Sequence, residues 1–361
     1  MRPEGLVQRL IERGLVDAER VVDGDLVVRD VSRRNRNFRV QSERGPSLFV
    51  KHAPAPEQAP LLAQEAAALE AIQGDATLAA GVPRVRLYDP GERLLVTDLV
   101  RDVETLHERH ARLRTCPPDV AAALGAALAR VHAAPVTPGI AARLRPAVPL
   151  AFQVGLLPNA GSRDLSGGAV KLLGVLDEFP DVRRHLDALL AEWRPACVVH
   201  GDLKWDNALV ADAPGGPRVT LVDWEGAGLG DPAWDVGCVF VDHLAFWLGS
   251  VPVTGETPPE RAAELAAVPL GSLAPALRAF WASYGATLGL SPPEAGALLE
   301  RATRHAGARL VQLAFEQVQT LPALTGTAVL TLQLAHNVLQ RPRDAAIHLL
   351  ALPDAFPGAP P

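Results

Sequence analysis

The secondary-structure pattern of the sequence changes from β-rich to helical about one third of the way along its 361 residues. In the first hundred residues, short β-rich runs alternate with turn residues, and the runs at 37–42 and 47–53 predict a hairpin. Beyond about residue 118 the sequence is rich in Ala and Leu and predicts helices, apart from a β-rich island at 197–223. This pattern predicts an α+β fold with a small β-rich lobe, a large helical lobe and a cleft between them.

The same change in pattern sets the expected boundaries of the two lobes. We predict a β-rich N-terminal lobe with one key helix at 1–97, a hinge at 98–104 and a mainly helical C-terminal lobe at 105–352. The remaining residues, 353–361, are rich in proline and predict a frayed tail.

Composition narrows the functional class. Hydrophobic residues make up 48% of the chain and charged residues 21%, which is typical of an ordered globular protein. The net charge of −6 gives no overall attraction for polyanions, so we expect no nucleic-acid partner. We also expect no membrane association, because no apolar run approaches the roughly 18 residues of a membrane span. Three isolated cysteines and an N-terminus unlike a signal peptide favour a cytoplasmic location.

Lysine is almost absent from this chain. Lys51, Lys171 and Lys204 stand against 32 arginines. A lysine that persists in such an arginine-rich sequence is a candidate for a chemical role. Two of the three fall within the segments that carry the strongest functional motifs.

The most specific motif is HGDLKWDN at 200–207, followed by LVDWEGAGLGDPAWD at 221–235. Asp202 and Asn207 follow one apolar strand, and Asp223 follows a second. Three oxygen ligands are therefore predicted to converge at strand ends. Phosphoryl transfer needs such a set: a carboxylate to accept the proton of an attacking hydroxyl, and amide and carboxylate oxygens to hold Mg²⁺ against phosphates.

A second group of site residues is predicted in the β-rich lobe. Lys51 ends the strand-like run LFVK, and Glu65 lies on the predicted helix 61–72. Glu65 shares an apolar helix face with Leu62 and Leu69, and a carboxylate that faces a core needs a counter-ion. We therefore predict an ion pair between Lys51 and Glu65.

Together these motifs resemble the aminoglycoside phosphotransferase and choline kinase family, which has a protein-kinase-like fold. The spacing from Asp202 to Asn207 equals that of the protein-kinase catalytic loop. The resemblance, which spans roughly 25–245, implies that Asp202 is the catalytic base and that Asn207 and Asp223 bind Mg²⁺. It further implies that Lys204 contacts the transferred phosphate.

The resemblance also implies how the nucleotide binds. Lys51, oriented by Glu65, is expected to contact the phosphates of ATP. The backbone at Asp98, Leu99 and Val100 is expected to contact adenine, by position alone.

One departure from kinase-like folds lies at 30–40, where the expected glycine-rich loop contains no glycine. Ser32 and Asn35 are the side chains expected to contact phosphates there in place of backbone amides. The basic stretch 106–114 lacks metal-ligand spacing and predicts a solvated helix.

The predicted function is the transfer of the γ-phosphate of ATP, with Mg²⁺, to a hydroxyl group of a small metabolite. Neither an acidic excess suited to a polycationic aminoglycoside nor an aromatic cage suited to choline is evident at 241–361. Two alternatives remain open at this point. One is a kinase that phosphorylates Ser or Thr of a peptide, as in lanthipeptide precursor modification, and the other is an inactive nucleotide-binding pseudokinase.

Overall fold

A five-stranded antiparallel sheet forms the N-terminal part of the computed structural model, which describes residues 3–32, 36–74, 79–153, 165–253 and 263–352. Within these residues the strand order is β1-β2-β3-β5-β4. The predicted β2–β3 hairpin is present, with Asn37 opposite Lys51. The strands are β1 Leu26–Asp30, β2 Arg36–Ser42, β3 Leu48–His52, β4 Val85–Asp89 and β5 Leu94–Asp98.

Two N-terminal helices precede this sheet, α1 (Pro3–Glu12) and α2 (Ala18–Val22). The sequence reading predicted one key helix in this lobe and did not include them. Leu6 and Leu10 of α1 are fully buried in a core cluster with Phe38 of the sheet. Because residues four apart share one helix face, a short amphipathic segment can cover one side of the sheet.

The other helix of this lobe, α3 (Ala59–Gln73), belongs to a different core cluster, which is shared with the helical part of the chain. Its predicted bounds, 61–72, fall inside the observed ones. Pro60 stands in the first turn of α3, where its missing N–H costs no hydrogen bond. This helix therefore connects the sheet to the helical part.

The rest of the described chain is mainly helical, with two small β elements. Strands β6, β8 and β9 form one sheet, and β7 pairs with β10. The helices are α4 Leu106–Leu113, α5 Pro118–His132, α6 Pro138–Ala141, α7 Gly167–Glu178, α8 Pro180–Ala191, α9 Pro232–Leu248, α10 Ala274–Leu288, α11 Pro292–Val318, α12 Gly326–Gln340 and α13 Pro342–Asp344. The strands are β6 Glu104–Thr105, β7 Cys197–Val199, β8 Ala208–Ala211, β9 Arg218–Leu221 and β10 Gly228–Gly230.

The helix predicted at 106–114 exists as α4, but its prediction as a solvated helix was wrong in part. Leu106, Arg109 and His110 are buried. Arg109 is satisfied by Asp212 at 2.7 and 2.9 Å and by Glu104 at 2.6 Å, so its charge can be buried. In the described part of the chain, no helix has the length and apolar character needed to cross a membrane.

Candidate active site

The predicted ion pair in the β-rich lobe is present. Lys51 of β3 donates hydrogen bonds from Nζ to both carboxylate oxygens of Glu65 in α3, at 2.8 and 2.9 Å. The two side chains are only 7% and 5% exposed, and Leu62 and Leu69 are buried on the same helix. The apolar stripe of α3 thus places one carboxylate against the sheet, where the lysine neutralises it.

The DWE segment meets this pair from the other side of the cleft. Lys51 Nζ lies 2.6 Å from Asp223 Oδ1, and the Trp224 N–H donates to Glu65 Oε1 at 3.2 Å. Residues 172 positions apart in the sequence are therefore in direct contact. The predicted lysine, its glutamate and the predicted metal-binding aspartate form one cluster.

The charges in this cluster stabilise one another. Burial alone would lower the pKa of Lys51, but the carboxylates of Glu65 and Asp223 outweigh it and raise that pKa. Burial alone would raise the pKa of Asp223, but the neighbouring Lys51 lowers it below its usual value. Lys51 is therefore a cation and Asp223 an anion at neutral pH.

Asp223 has an uncommon backbone conformation for a residue other than glycine. Its φ and ψ are 64° and 65°, in the left-handed region. Two hydrogen bonds hold the preceding residue: the Val222 N–H donates to Asn207 O, and its carbonyl accepts from His200 Nε2, both at 2.9 Å. Strain of this kind persists where the surroundings impose it, and here it directs the Asp223 carboxylate into the cleft.

The 200–207 loop supplies the other predicted catalytic groups. Lys204 Nζ donates to Asp202 Oδ2 at 2.6 Å, and the Asn207 side-chain amide donates to the Asp202 carbonyl at 2.9 Å. The Asp202 side chain is 30% exposed, so its carboxylate can reach a ligand in the cleft. Burial would lower the pKa of Lys204, but the Asp202 carboxylate raises it, so the lysine is charged.

A buried carboxylate holds the first residues of this loop. Asp235 of α9 accepts the backbone N–H of His200 at 2.6 Å and that of Gly201 at 3.0 Å. The Trp234 indole donates to the Gly201 carbonyl at 3.0 Å. Gly201 has φ of 78°, and a Cβ there would collide with the Gly226 carbonyl, so no other residue fits. Asp202 thus follows a rigidly held backbone segment.

The middle of the loop is held by a second acid from α9. Asp242 Oδ2 accepts the Trp205 N–H at 2.6 Å. The Trp205 ring packs against His110, His243 and Phe246, with centroid separations of 4.2, 5.1 and 5.5 Å. The loop residue between Lys204 and Asp206 is therefore anchored by both its backbone and its ring.

Asp242 has a pKa far above that of an ordinary aspartate. Burial raises the pKa of Asp242 to about 7, and the charges of Asp206 and Asp202 also raise it, against the opposing effects of Arg309 and the Trp205 N–H. The folded protein therefore retains a proton on Asp242 that the unfolded chain releases above about pH 4.

This difference predicts a measurable dependence of stability on pH. Between about pH 4 and 7 the folded state binds more protons at Asp242 than the unfolded state, so the contribution of Asp242 to stability falls as the pH rises. An Asp242→Asn variant lacks this contribution but keeps an oxygen for the Trp205 N–H. We expect its free energy of unfolding, relative to wild type, to increase steadily from pH 4 to 7 in urea titrations. A difference independent of pH would contradict the assignment.

The residues predicted to contact adenine end strand β5 and follow it. The N–H groups of Asp98 and Leu99 donate to the carbonyls of Arg84 and Ser47, both at 2.8 Å. The Val100 N–H donates in none of the hydrogen bonds between described residues. The Asp98 carboxylate is paired with Arg86 at 2.6 and 3.0 Å. Of the backbone N–H groups at 98–100, that of Val100 is the one without a hydrogen-bond partner among the described residues.

The glycine-free loop is described only in part. Ser32 is exposed, and its Oγ accepts the N–H of Asn37, a residue of β2, at 3.0 Å. Asn35 lies outside the described residues. Among the described hydrogen bonds, those of Ser32 are with Asp30 and Asn37, and none joins it to Lys51, Glu65 or Asp223.

A pocket of about 400 Å³ lies beside the 200–207 loop. The loop forms one wall, and helices α4 and α9 form others. Apolar and charged groups are mixed in its lining, which comprises His107, Ala111, Arg114, Lys204, Trp205, Asp206, Asp242, Ala245, Phe246, Gly249, Ser250 and Val268. A pocket of this size accommodates a small molecule.

Sequence reasoning missed three residues that support the loop: Asp242, His132 and Tyr284. The sequence does indicate a role for Asp242, because a carboxylate within the apolar run of α9 needs a hydrogen-bond or charge partner. His132 contacts Asp235, and Tyr284 contacts His132. They had no local signal, because they come from helices about 150 residues apart.

Comparison with solved structures identifies the class of fold. A choline/ethanolamine kinase family protein from Mesorhizobium loti superimposes with a TM-score of 0.52 at 18% identity, covering 94% of this chain and 97% of that one. An ethanolamine kinase from Plasmodium vivax superimposes with a TM-score of 0.58 at 11% identity, covering 90% and 85%. At these identities the likeness establishes the fold alone. It confirms the predicted α+β, bilobal, kinase-like architecture.

Sequence comparison then identifies the family. Residues 27–280 match APH, the phosphotransferase enzyme family, and the chain belongs to it. Over 61 residues the chain is 39% identical to the viomycin phosphotransferase of Streptomyces vinaceus, a match that spans 17% of this chain and 21% of that protein. The prediction of a kinase-type phosphotransferase enzyme is thereby confirmed.

Proposed function

We propose that this protein transfers the γ-phosphoryl group of ATP, with Mg²⁺, to a hydroxyl group of a small metabolite. The observation that carries the proposal is the contact of Lys51 with both Glu65 and Asp223. This contact supports the proposal, because a cation suited to phosphates lies next to a carboxylate suited to a metal ion. The Asn207 side chain donates a hydrogen bond to the Asp202 carbonyl. The Asn207 carbonyl accepts the N–H of Val222, the residue before Asp223.

The nucleotide would bind between the two lobes, with residues 98–104 as the hinge. Lys51 is charged and held in a fixed direction by Glu65, so it can bind phosphate oxygens without further ordering. The Val100 N–H is the open donor for the adenine ring. Ser32 and Asn35 remain the proposed side-chain contacts from the loop above the phosphates.

The donor set at Asn207 and Asp223 fits Mg²⁺, which prefers hard oxygen ligands and few protein groups beside substrate phosphates. Asp223 Oδ1 is engaged by Lys51, whereas Asp223 Oδ2 and Asn207 Oδ1 accept no hydrogen bond from described residues. Among the described residues no three His, Cys, Asp or Glu side chains form a metal cage. Bound Mg²⁺ would neutralise charge on the phosphates.

Asp202 would act as the catalytic base. Its carboxylate accepts the proton of the acceptor hydroxyl as that oxygen forms a bond to the γ-phosphorus, while the bond to the β-phosphate oxygen breaks and ADP leaves. Lys204, which donates a hydrogen bond to Asp202, would stabilise negative charge on the transferred phosphoryl group. Both side chains are partly exposed to the cleft, at 30% and 38%.

The pocket of about 400 Å³ has room for a small acceptor. Its walls include Lys204 and Asp206 of the loop that carries Asp202, so a molecule bound there lies close to the base. Carboxylates and cations are both present in the lining, which suits a polar, hydroxyl-bearing molecule with some apolar surface.

The test is an assay with [γ-³²P]ATP, Mg²⁺ and a panel of sugars, amino alcohols, hydroxy acids and Ser/Thr peptides. We expect labelled product from at least one small hydroxyl compound, and none after chelation of Mg²⁺ with EDTA. Labelling of peptides alone would identify a peptide kinase instead. Nucleotide binding with neither transfer nor ATP hydrolysis would identify an inactive module and overturn the proposal.

A further inference from the structure

A buried chain of hydrogen bonds runs from helix α10 to the 200–207 loop. The Tyr284 hydroxyl lies 2.7 Å from His132 Nδ1, and His132 Nε2 lies 3.2 Å from Asp235 Oδ2. Asp235 in turn accepts the N–H groups of His200 and Gly201. No more than 8% of Tyr284, His132 or Asp235 is exposed.

The hydrogen bonds between Tyr284, His132 and Asp235 have one consistent arrangement of protons when His132 is neutral. Asp235 is ionised: its complete burial would raise its pKa, but the hydrogen bonds from His132 and from the His200 N–H lower that pKa below its usual value. His132 therefore donates from Nε2 to the carboxylate, which leaves Nδ1 as an acceptor. Burial raises the pKa of Tyr284 well above its ordinary value, so the phenol keeps its proton and donates it to Nδ1.

Close packing of α5 against α10 makes this contact possible. A Cβ at Gly125 of α5 would collide with the Phe280 carbonyl of α10 and lie 3.1 Å from the Tyr284 nitrogen. Because Gly125 has no side chain, the two backbones approach closely, and Tyr284 reaches His132 about two helix turns further along α5.

These hydrogen bonds meet at the Asp235 carboxylate, which binds both His132 and the loop backbone. Asp235 Oδ2 is shared by the His200 N–H and by His132, while Oδ1 accepts the Gly201 N–H. Rotation of this carboxylate would loosen both backbone bonds that precede Asp202. The His132 donor opposes such rotation, and Tyr284 fixes the His132 ring.

We propose that His132 and Tyr284 are positioning residues for the catalytic base, acting through Asp235 on the backbone of the 200–207 loop. Their effect on catalysis rests on the proposed phosphotransferase function. Their effect on the loop backbone does not. Neither residue touches the cleft, so they act on turnover and leave nucleotide binding unchanged.

The first test measures the loop directly in the full-length protein without ligand. Amide hydrogen exchange at His200 and Gly201 should be about tenfold faster in Tyr284→Phe and faster still in His132→Leu. His132→Gln keeps an N–H donor near the position of Nε2, so its exchange should stay close to wild type. Leu277→Val is the matched control, since it removes buried volume from the same helix and makes no hydrogen bond in the network. Equal exchange in all four variants would overturn the proposal even if the protein hydrolyses no ATP.

The second test separates positioning from general damage. Turnover of ATP, by hydrolysis or transfer, should fall about three- to tenfold in Tyr284→Phe and about 10²-fold in His132→Leu. The dissociation constant for Mg·ATP should not change in either variant, and His132→Gln should recover most of the lost turnover. A parallel loss of nucleotide affinity and turnover in these variants and in Leu277→Val would show a merely structural role. Wild-type protein without any turnover would instead contradict the proposed function.

Discussion

Replacement of Asp202 by asparagine is expected to reduce phosphoryl transfer by about 10²- to 10⁴-fold, which is the usual contribution of a general base. Asparagine has nearly the same shape but cannot accept the proton of the acceptor hydroxyl. The Asp202 side chain is partly exposed and pairs only with Lys204 among the described residues, so folding should be little affected. Mg·ATP should bind with unchanged affinity, because Lys51, Asn207 and Asp223 remain in place.

The measurement is the initial rate of phosphate transfer from [γ-³²P]ATP, beside the melting temperature and nucleotide affinity. Asp187→Asn, the same chemical change on the exposed side of α8, is the control for substitution itself. An Asp202→Asn protein as active as wild type would remove Asp202 from the role of base. A simultaneous loss of nucleotide binding would assign it to binding instead.

Replacement of Lys51 by methionine is expected to have the second large effect, on stability as well as on activity. The variant leaves Glu65 as a buried carboxylate without its cation, and Asp223 loses the same partner. Removal of one member of a buried ion pair costs about 3–5 kcal/mol. The ammonium that would bind phosphate is also absent, so nucleotide affinity and transfer should both fall sharply.

A double variant separates these two effects. Lys51→Met with Glu65→Leu removes both charges of the buried pair, so most of the lost stability should return. Transfer should not return, because no cation is left beside the phosphates. The measurements are urea unfolding and the initial rate of transfer for the single and double variants. Recovery of transfer in the double variant would show that Lys51 serves the fold alone.

Much of the site could be predicted because its signals are local. The apolar stripe of α3 points Glu65 into the core, and Lys51 ends a strand of the sheet that the helix covers. The spacing from Asp202 to Asn207 is contained in a single loop. For Glu65 and Lys51, a regular element of known period fixes the direction of the side chain.

The rest depends on contacts between distant segments, which local patterns do not encode. Lys51 contacts Asp223 at a position after β9 where the backbone has a left-handed conformation. Such a conformation is usually indicated by glycine, and this position is an aspartate. The chain from Tyr284 to Asp235 requires the close approach at Gly125, a glycine that in sequence is only a weak position within a helix. The α1 helix was missed because its burial depends on the sheet beneath it.

The structure of the protein bound to Mg²⁺ and a non-hydrolysable ATP analogue is the most direct measurement of the central claim. We predict one nucleotide in the cleft, with its phosphates between Lys51 and a magnesium ion held by Asn207 and Asp223, and with Asp202 facing the γ-phosphate. A nucleotide bound elsewhere, or bound in the cleft without contact to Lys51 or to an ion at Asn207 and Asp223, would contradict it.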